Sequence, residues 1–247
     1  MIPRRDISLA EILERAPEVG GRSKRLYGLD DDHYLVKLVP TLSSFTHARH
    51  EVVHGTAELR LDFYELAARV VEAAGVPTAF VERAGPTTYV ALRCSNPPFE
   101  TIVKNAAVGS TLRKYPGLFP PGHRFARPVV KFDFRVDPED QPIADDYLCE
   151  AGLEPARLKS LALHANDALR RWLEPRELLD FCLTVGTRDG EYVVTSEISP
   201  DGMRLRDERG EPLDKDIFRR GGSAEEILAR WSGLVAELRA GARAAVS

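Results

Sequence analysis

Cysteine is scarce in this 247-residue sequence, and the few cysteines form no pattern of the kind that binds a metal or builds a disulfide framework. Cys94, Cys149 and Cys182 lie far apart, which predicts buried thiols in a reducing compartment. Long apolar runs are also missing, since none approaches the ~20 residues of a membrane-spanning helix. An arginine pair near the N-terminus has no apolar stretch behind it, unlike a secretory signal. We therefore expect a cytoplasmic globular protein that does not enter a membrane.

Positive charge is not in excess, because 34 basic residues face 38 acidic ones and the net charge is −4. Proteins that bind nucleic acid or anionic membranes usually carry a basic excess, so neither partner is expected. Only seven of the basic residues are lysines, and this arginine- and alanine-rich composition is typical of a GC-rich bacterial genome. Lys24, Lys104 and Lys215 each fall within a charged motif, which makes those motifs candidate sites.

Hydrophobic periodicity predicts an α+β protein with mostly antiparallel hairpins. Apolar spacing and capping signals predict helices over residues 6–16, with Ile7 on the apolar side, and over 56–74, 155–173 and 223–240. Alternation predicts strands near 22–28, 33–39, 78–83, 87–93, 99–105 and 129–136. The turn TRDG is expected to join LLDFCLTVG and EYVVTSEIS as a hairpin.

Two segments rich in basic or small residues are candidate anion sites. In GRSKRLY, Arg22 and Lys24 occupy alternate positions and can share one face of a strand, although a solvated edge strand has the same pattern. In VKNAAVGSTLRKY, small residues separate Lys104 from Ser110, which allows a close approach of backbone and hydroxyl to a phosphate. The alternative for this second segment is a glycine-kinked loop with solvated basic residues.

Three histidines gather in HARHEVVH, where His50 and His54 are one helical turn apart if the segment is helical. Together with His47 they can hold a metal or supply a general base, because imidazole titrates near neutrality. Exposed loop histidines without a ligand give the same pattern. The HExxH signature of metalloproteases is absent from the segment.

The stretch SEISPDGMRLRD (196–207), followed by LDKDIFRR, concentrates mixed charge after a β-prone run. A solvated hairpin with a salt-bridged face is one explanation. The other is a site in which arginines bind a phosphate or carboxylate in bidentate fashion and an aspartate orients an amine.

Four ordered segments of the chain, GRSKRLY, AAGVPTAFVER, ETIVKNAAVGSTLRKY and SEISPDGMRLRD with LDKDIFRR, resemble the SAICAR synthetase family over roughly residues 20–222. Enzymes of this family join aspartate to a carboxylated aminoimidazole ribotide with ATP and Mg²⁺. The resemblance implies two α+β lobes with antiparallel sheets, flanking helices and an active site in the cleft between them. We place the lobes at 1–95, on the nucleotide side, and at 96–247, on the substrate side; by analogy, a homodimer is expected.

The resemblance also implies roles for individual residues. Ser110 and Arg204 match residues that hold the ribotide phosphate, and Lys104 stands where the family has an arginine. The full predicted set is Lys215, Asp216 and His47 for catalysis, Lys104, Ser110, Arg204 and Arg219 for an anionic phosphorylated or carboxylated substrate, and Arg22 and Lys24 for the nucleotide.

The metal side departs from the family. One strand of the family reads D-F-K-L-E-F-G; in this chain Cys182 replaces its lysine and Thr184 replaces its acid. In the next strand, Ser196 replaces a second acid of the family, and the neighbouring carboxylate Glu197 is kept. Mg²⁺ usually relies on one or two carboxylates besides phosphate oxygens, so weak Mg–ATP binding is predicted.

Three functions remain open on this evidence. The first is an ATP-dependent amide ligase of secondary metabolism that joins a carboxylate to an amine such as an amino acid. The second is an ATP-independent enzyme that uses His47, His50 and Cys182 for cyclisation, elimination or hydrolysis. The third is a non-catalytic protein that binds an anionic metabolite.

Overall fold

A computed structural model of the protein describes residues 8–137 and 139–244. The helices are α1 (Leu9–Leu13), α2 (Thr56–Ala73), α3 (Ser110–Lys114), α4 (Asp145–Glu150), α5 (Pro155–Leu173), α6 (Asp216–Arg219) and α7 (Ala224–Ala244). The strands are β1 (Val19–Gly20), β2 (Lys24–Gly28), β3 (His33–Leu38), β4 (Thr41–Ser44), β5 (Arg49–Val52), β6 (Phe80–Arg83), β7 (Thr88–Leu92), β8 (Phe99–Ala106), β9 (Arg124–Phe134), β10 (Gln141–Ile143), β11 (Glu177–Leu183), β12 (Val185–Arg188), β13 (Glu191–Val194) and β14 (Met203–Arg206).

Two five-stranded antiparallel sheets form the framework, which confirms the predicted α+β class. The first has the order β1-β2-β3-β7-β6 and the second has the order β10-β9-β8-β11-β14. Two hairpins, β4–β5 and β12–β13, stand outside these sheets. All strands of the first sheet precede residue 96 and all strands of the second follow it, while the lobe boundary itself stays a prediction.

The long helices lie where apolar periodicity predicts them, and they cover the sheets. Helix α2 packs against α5 and α7, and the rings of Phe63 and Trp172 meet edge to face at 5.1 Å across the α2–α5 contact. Burial of the apolar faces drives this packing. In residues 8–137 and 139–244, no helix is both long and apolar enough to cross a membrane.

The N-terminal helix is shorter than predicted. It begins after Ser8, whose side chain and that of Glu11 form a reciprocal capping box, and Ile7 lies outside the described residues. The prediction that all three cysteines are buried is wrong for Cys149, which is exposed on α4, while Cys94 and Cys182 are half-buried.

The stretch 196–207 does not fold back on the strand before it. Instead, β14 pairs antiparallel with β11, so that Arg204 lies opposite Asp180. The predicted strand LLDFCLTVG is divided at Thr184 into β11, in the second sheet, and β12, which forms the Asp189-Gly190 hairpin with β13. The solvated hairpin is therefore the wrong explanation for SEISPDGMRLRD.

Candidate active site

A cleft of about 910 Å³ lies between the segment before β2 and the β4–β5 hairpin on one side and the second sheet on the other. Five of the predicted site residues line it: Arg22, Ser110, Arg204, Lys215 and Arg219. Its other polar walls are formed by Glu100, Asp133, Arg135, Asp137, Glu139, Asp140 and Asp201.

Ser110 and Arg204 come together at one end of the cleft. Ser110 begins α3, and Gly109 before it has φ 58°, a backbone conformation that favours glycine. A Cβ atom on Gly109 would overlap the guanidinium of Arg204. The absence of a side chain at Gly109 therefore allows the Arg204 guanidinium to lie against the backbone directly before Ser110.

Beneath this end of the cleft, one carboxylate holds two cations. Asp180 Oδ2 accepts hydrogen bonds from Lys104 Nζ at 2.5 Å and from Arg204 Nη1 at 2.8 Å. Burial raises the pKa of Asp180, but the two cations outweigh it and hold that pKa below its ordinary value. Lys104 is only 3% exposed and does not line the cleft, so it supports Arg204 through Asp180.

A second carboxylate, Asp216, orients the arginines from the other side. Arg219 Nη1 donates to Asp216 Oδ1 at 2.8 Å, Arg204 Nε lies 3.4 Å from the same oxygen, and Arg206 donates to Oδ2. Burial would raise the pKa of Asp216, but these arginines lower it to about 2. Asp216 is therefore an ionised positioning group rather than a proton carrier at neutral pH.

The network as a whole is positively charged. Its four basic side chains are Lys104, Arg204, Arg206 and Arg219, and its three acidic ones are Asp180, Asp214 and Asp216. One positive charge is left in excess at the Ser110 end, which favours an anionic ligand there. Lys215 and Asp201 form a separate ion pair on the same wall, with Lys215 Nζ 2.9 Å from Asp201 Oδ1, and this pair adds no net charge.

The predicted nucleotide residues are divided. Arg22 lines the cleft, where its guanidinium lies 4.2 Å from the centre of the exposed Phe45 ring. Lys24 is half-buried and is not part of the cleft lining. Burial lowers the pKa of Lys24, partly offset by the nearby charge of Glu197.

The histidine motif is a strand hairpin, and the helical spacing considered for it is wrong. His50 lies on β5 with Nδ1 2.6 Å from Ser43 Oγ, and His47 Nδ1 is 3.0 Å from Ser44 Oγ. Neither ring lines the cleft, although Ser43 and Ser44 do. Among the described residues, no group of three or more His, Cys, Asp or Glu side chains is arranged to hold a metal.

The positions of the family's metal acids do not fit Mg²⁺ in this chain. Thr184 Oγ1 accepts a hydrogen bond from Arg135 Nη2 at 3.0 Å, and Ser196 Oγ accepts one from the Thr184 amide at 2.9 Å. Both hydroxyls are thus engaged within the protein, and a guanidinium cation already occupies one of them. Mg²⁺ prefers carboxylates, which neither position supplies.

The two other groups considered at this side are also committed. Glu197 receives Arg60 in a bidentate ion pair, with distances of 2.6 and 2.8 Å, and Arg60 is 1% exposed. Burial raises the pKa of the Cys182 thiol well above its ordinary value, so the thiol stays protonated. Neither group is free to bind a metal or to act as a base.

Sequence reasoning missed two kinds of residue. Asp180 and Asp214 orient the arginines. Glu100 on β8, Asp133 on β9 and Arg135 directly after β9 form a wall of the cleft with charges of both signs. The signal for the wall was the alternation of charge in VVKFDFRV, which places every second side chain on one face.

Comparison with known proteins identifies the family of the chain. The sequence profile of SAICAR synthetase matches residues 19–231. The phosphoribosylaminoimidazole-succinocarboxamide synthase of Methanocaldococcus jannaschii is 33% identical over 241 residues, which cover 94% of this chain and 98% of that enzyme. The phosphoribosylaminoimidazole-succinocarboxamide synthase of Methanothermobacter thermautotrophicus is 40% identical over 162 residues, which cover 62% of this chain and 64% of that enzyme.

Solved structures show the same fold. A SAICAR synthetase in complex with ADP superposes with a TM-score of 0.82 at 25% identity, over 88% of this chain and 96% of that one. The synthase from Ehrlichia chaffeensis has a TM-score of 0.84 at 19% identity, over 91% and 98% of the two chains. Because the family profile matches residues 19–231 and a synthase 33% identical is covered almost completely, the chain belongs to the SAICAR synthetase family.

Proposed function

We propose that the protein is an enzyme of secondary metabolism that forms an amide C–N bond between the carboxylate of a phosphorylated substrate and an amine, such as that of an amino acid. The observation that carries the proposal is the anion site, in which the Arg204 guanidinium lies against Gly109, the residue before Ser110, and both Ser110 and Arg204 line the cleft. Arg219, held by Asp216, adds a second guanidinium at this end of the cleft.

In this proposal each residue has a defined task. Ser110 and Arg204 bind the substrate phosphate, and Asp180 with Lys104 positions Arg204 beneath them. Lys215, paired with Asp201 on the cleft wall, is available to stabilise negative charge that develops on the reacting carboxylate. Asp216 stays ionised and fixes the directions of the arginines.

Phosphate binding tests the anion site directly. We expect ribose 5-phosphate to bind the wild-type protein and to lose at least tenfold in affinity with Arg204→Met, because a charge-assisted hydrogen bond is removed. Arg113→Met is the matched control, since Arg113 lines the same cleft but pairs with Glu139. Equal affinity of the wild-type protein and the Arg204→Met variant in calorimetric titration would contradict the proposal.

A role outside purine synthesis is proposed because Thr184 and Ser196 stand at the metal positions. Expression in a purine auxotroph that lacks its SAICAR synthetase is the test, with a functional family member as control. We expect no growth without added purine. Growth at the rate of the control would place the protein in purine synthesis instead.

An ATP-independent reaction on the same anionic substrate is the second candidate, and the engaged hydroxyls of Thr184 and Ser196 favour it. Calorimetric titration with Mg–ATP separates the two. Binding of Mg–ATP at micromolar concentration supports the ATP-dependent ligase. The absence of a binding signal at millimolar Mg–ATP supports the ATP-independent enzyme. A non-catalytic binding protein, a bacterial source and a homodimer stay predictions.

A further inference from the structure

Two carboxylates that the anion site does not use face each other in the cleft. Glu100 on β8 and Asp133 on β9 are direct cross-strand partners, and both line the cleft. Directly opposed side chains of an antiparallel pair have Cβ atoms about 5 Å apart, so the two negative charges repel unless a cation lies between them.

The pair is short of hydrogen-bond donors. Asp133 is 4% exposed, and its buried Oδ1 has no hydrogen-bond partner in the described part of the chain. For Glu100, the one basic group within ion-pair distance in residues 8–137 and 139–244 is Arg135, with Nε 4.0 Å away. A buried oxygen without a donor is costly, so the site is incomplete as it stands.

Charged and titratable groups face Glu100 from each neighbouring element. They are Lys24 on β2, Asp133 on β9, Arg135 and Asp140 after β9, and Cys182 on β11. Burial raises the pKa of Glu100, and the charges of Asp140 and Asp133 add to this against the opposing effect of Arg135. A bound cation would reverse this balance and favour the ionised carboxylate.

We propose that Glu100 and Asp133 bind the ammonium group of the amine co-substrate and that Glu100 then takes up one of its protons. This inference rests on the proposed C–N bond-forming function. The ammonium donates N–H groups to Asp133 Oδ1 and to Glu100, which supplies the missing donors. Transfer of one proton gives a neutral amine with a free electron pair and a protonated Glu100 carboxyl, so charge and atoms balance.

The surroundings favour an ammonium over a metal ion. Asp133 Oδ2 already accepts a hydrogen bond from the Lys131 ammonium, which shows that this carboxylate takes such a donor in the geometry present. Two carboxylates fall short of the three or four protein ligands of a zinc centre, and no group of three or more such ligands exists among the described residues. Mg²⁺ needs only one or two carboxylates, so it is a competitor in the test below.

The position along the sheet suits a nucleophile for the substrate bound at Ser110 and Arg204. Glu100 and Lys104 lie on the same face of β8, four residues and therefore about 13 Å apart. Lys104 lies beneath Arg204, so the two sites lie at opposite ends of one sheet face with the cleft between them. A substrate whose phosphate is bound at Ser110 and Arg204 can therefore place its carboxylate in the cleft between that end and the Glu100–Asp133 end.

Methylammonium is the probe for the test, and tetramethylammonium, which has no N–H group, is its matched control. The readout is the Glu100 carboxyl signal in ¹³C-glutamate NMR, assigned by its loss in Glu100→Gln. We expect methylammonium to lower the pKa of Glu100 and to bind at least tenfold more weakly to Glu100→Gln and to Asp133→Asn. Asp137→Asn, an exposed acid of the same cleft, should bind it like the wild-type protein.

Ribose 5-phosphate titration reports in the same samples whether each variant is folded and keeps its anion site. Retained phosphate binding with unchanged methylammonium affinity in Glu100→Gln would overturn the amine site and leave the proposed function intact. Equal binding of tetramethylammonium would also overturn it. The amine site would also be overturned if Mg²⁺ bound the wild-type protein more tightly than methylammonium does and did not bind the Glu100→Gln variant. If ribose 5-phosphate does not bind the wild-type protein, the proposed function is contradicted instead.

Discussion

At the residue scale, the anion site depends on charges that never meet the ligand. Lys104 is buried on β8 with Asp180 of β11 as its hydrogen-bond partner, and the same carboxylate carries Arg204. A buried ion pair contributes little net stability, but removing one partner leaves the other charge buried and uncompensated. Stability and ligand binding are therefore joined at Asp180.

We predict that Asp180→Asn lowers the free energy of unfolding by about 3–5 kcal/mol and weakens phosphate binding together with it. The pKa of Asp180 is lowered in the folded protein, so its ionised form stabilises the protein above the unfolded pKa of 3.8, and this contribution disappears as the pH falls below it. Denaturant unfolding between pH 2 and pH 7 should show a shallower acid limb for the variant.

The control for this prediction is the double variant Lys104→Met with Asp180→Leu, which removes both buried charges. We expect it to recover most of the lost stability while phosphate binding stays weak, because Arg204 has lost its hydrogen bond to Asp180 and keeps only the longer contact with Asp216. If Asp180→Asn unfolds at the wild-type denaturant concentration, the buried pair is not what the site depends on.

The sequence allows Ser110 and Arg204 to be predicted because they belong to contiguous motifs. Asp180 was not predicted as a positioning group, since its partner Lys104 is 76 residues away and the contact exists only through the β8–β11 register. His47 lies in a motif with a strong local pattern, yet its ring faces Ser44 and not the cleft. Local pattern identifies candidate groups, and strand register decides which of them meet.

At the scale of elements, the turn before α3 determines how closely Arg204 approaches the chain. Gly109 has φ 58° and its missing Cβ leaves the space that the Arg204 guanidinium fills. Gly117 has φ 79° with nothing within 4 Å of its Cβ position, so it shares the positive φ without the contact.

We therefore predict different outcomes for two matched variants. Gly109→Ala and Gly117→Ala should each lose about 1–2 kcal/mol of stability, because alanine is strained at positive φ. Only Gly109→Ala should lose phosphate affinity, by tenfold or more, since the new Cβ displaces Arg204. Calorimetry with ribose 5-phosphate measures this, and equal affinities for both variants would show that Arg204 does not need the space at Gly109.

Helices and strands were not equally predictable. Residues 155–173 carry a continuous apolar stripe, and α5 has those bounds, because periodicity over 19 residues is a local signal. The run 196–207 was ambiguous because a β-prone stretch with a Pro-Asp-Gly turn fits a hairpin equally well. Its pairing with β11 depends on burial of Met203 and Leu205 in the core, which no local pattern reveals.

At the scale of the whole molecule, one arginine of α2 connects distant segments of the chain. Arg60 donates to the backbone oxygens of Val39 and Ser23 at 3.0 and 3.3 Å and to both oxygens of Glu197. The segment before β2, the end of β3 and the segment after β13 therefore meet at a single guanidinium next to the cleft. The ion pair with Arg60 gives Glu197 a structural role that needs no metal.

We predict that Glu197→Gln destabilises the protein by about 3–5 kcal/mol, because Arg60 is 1% exposed and would keep its charge without a carboxylate. For a chain of this size that is a fall in Tm on the order of 10 °C. Glu191→Gln is the matched control, since Glu191 pairs with Arg157 at the surface and is 74% exposed, so its loss should cost less than about 1 kcal/mol. Calorimetric unfolding of the two variants compares them directly. Equal Tm values would mean that the Arg60–Glu197 pair does not hold these segments together, and Glu197 would then be free to serve the cleft.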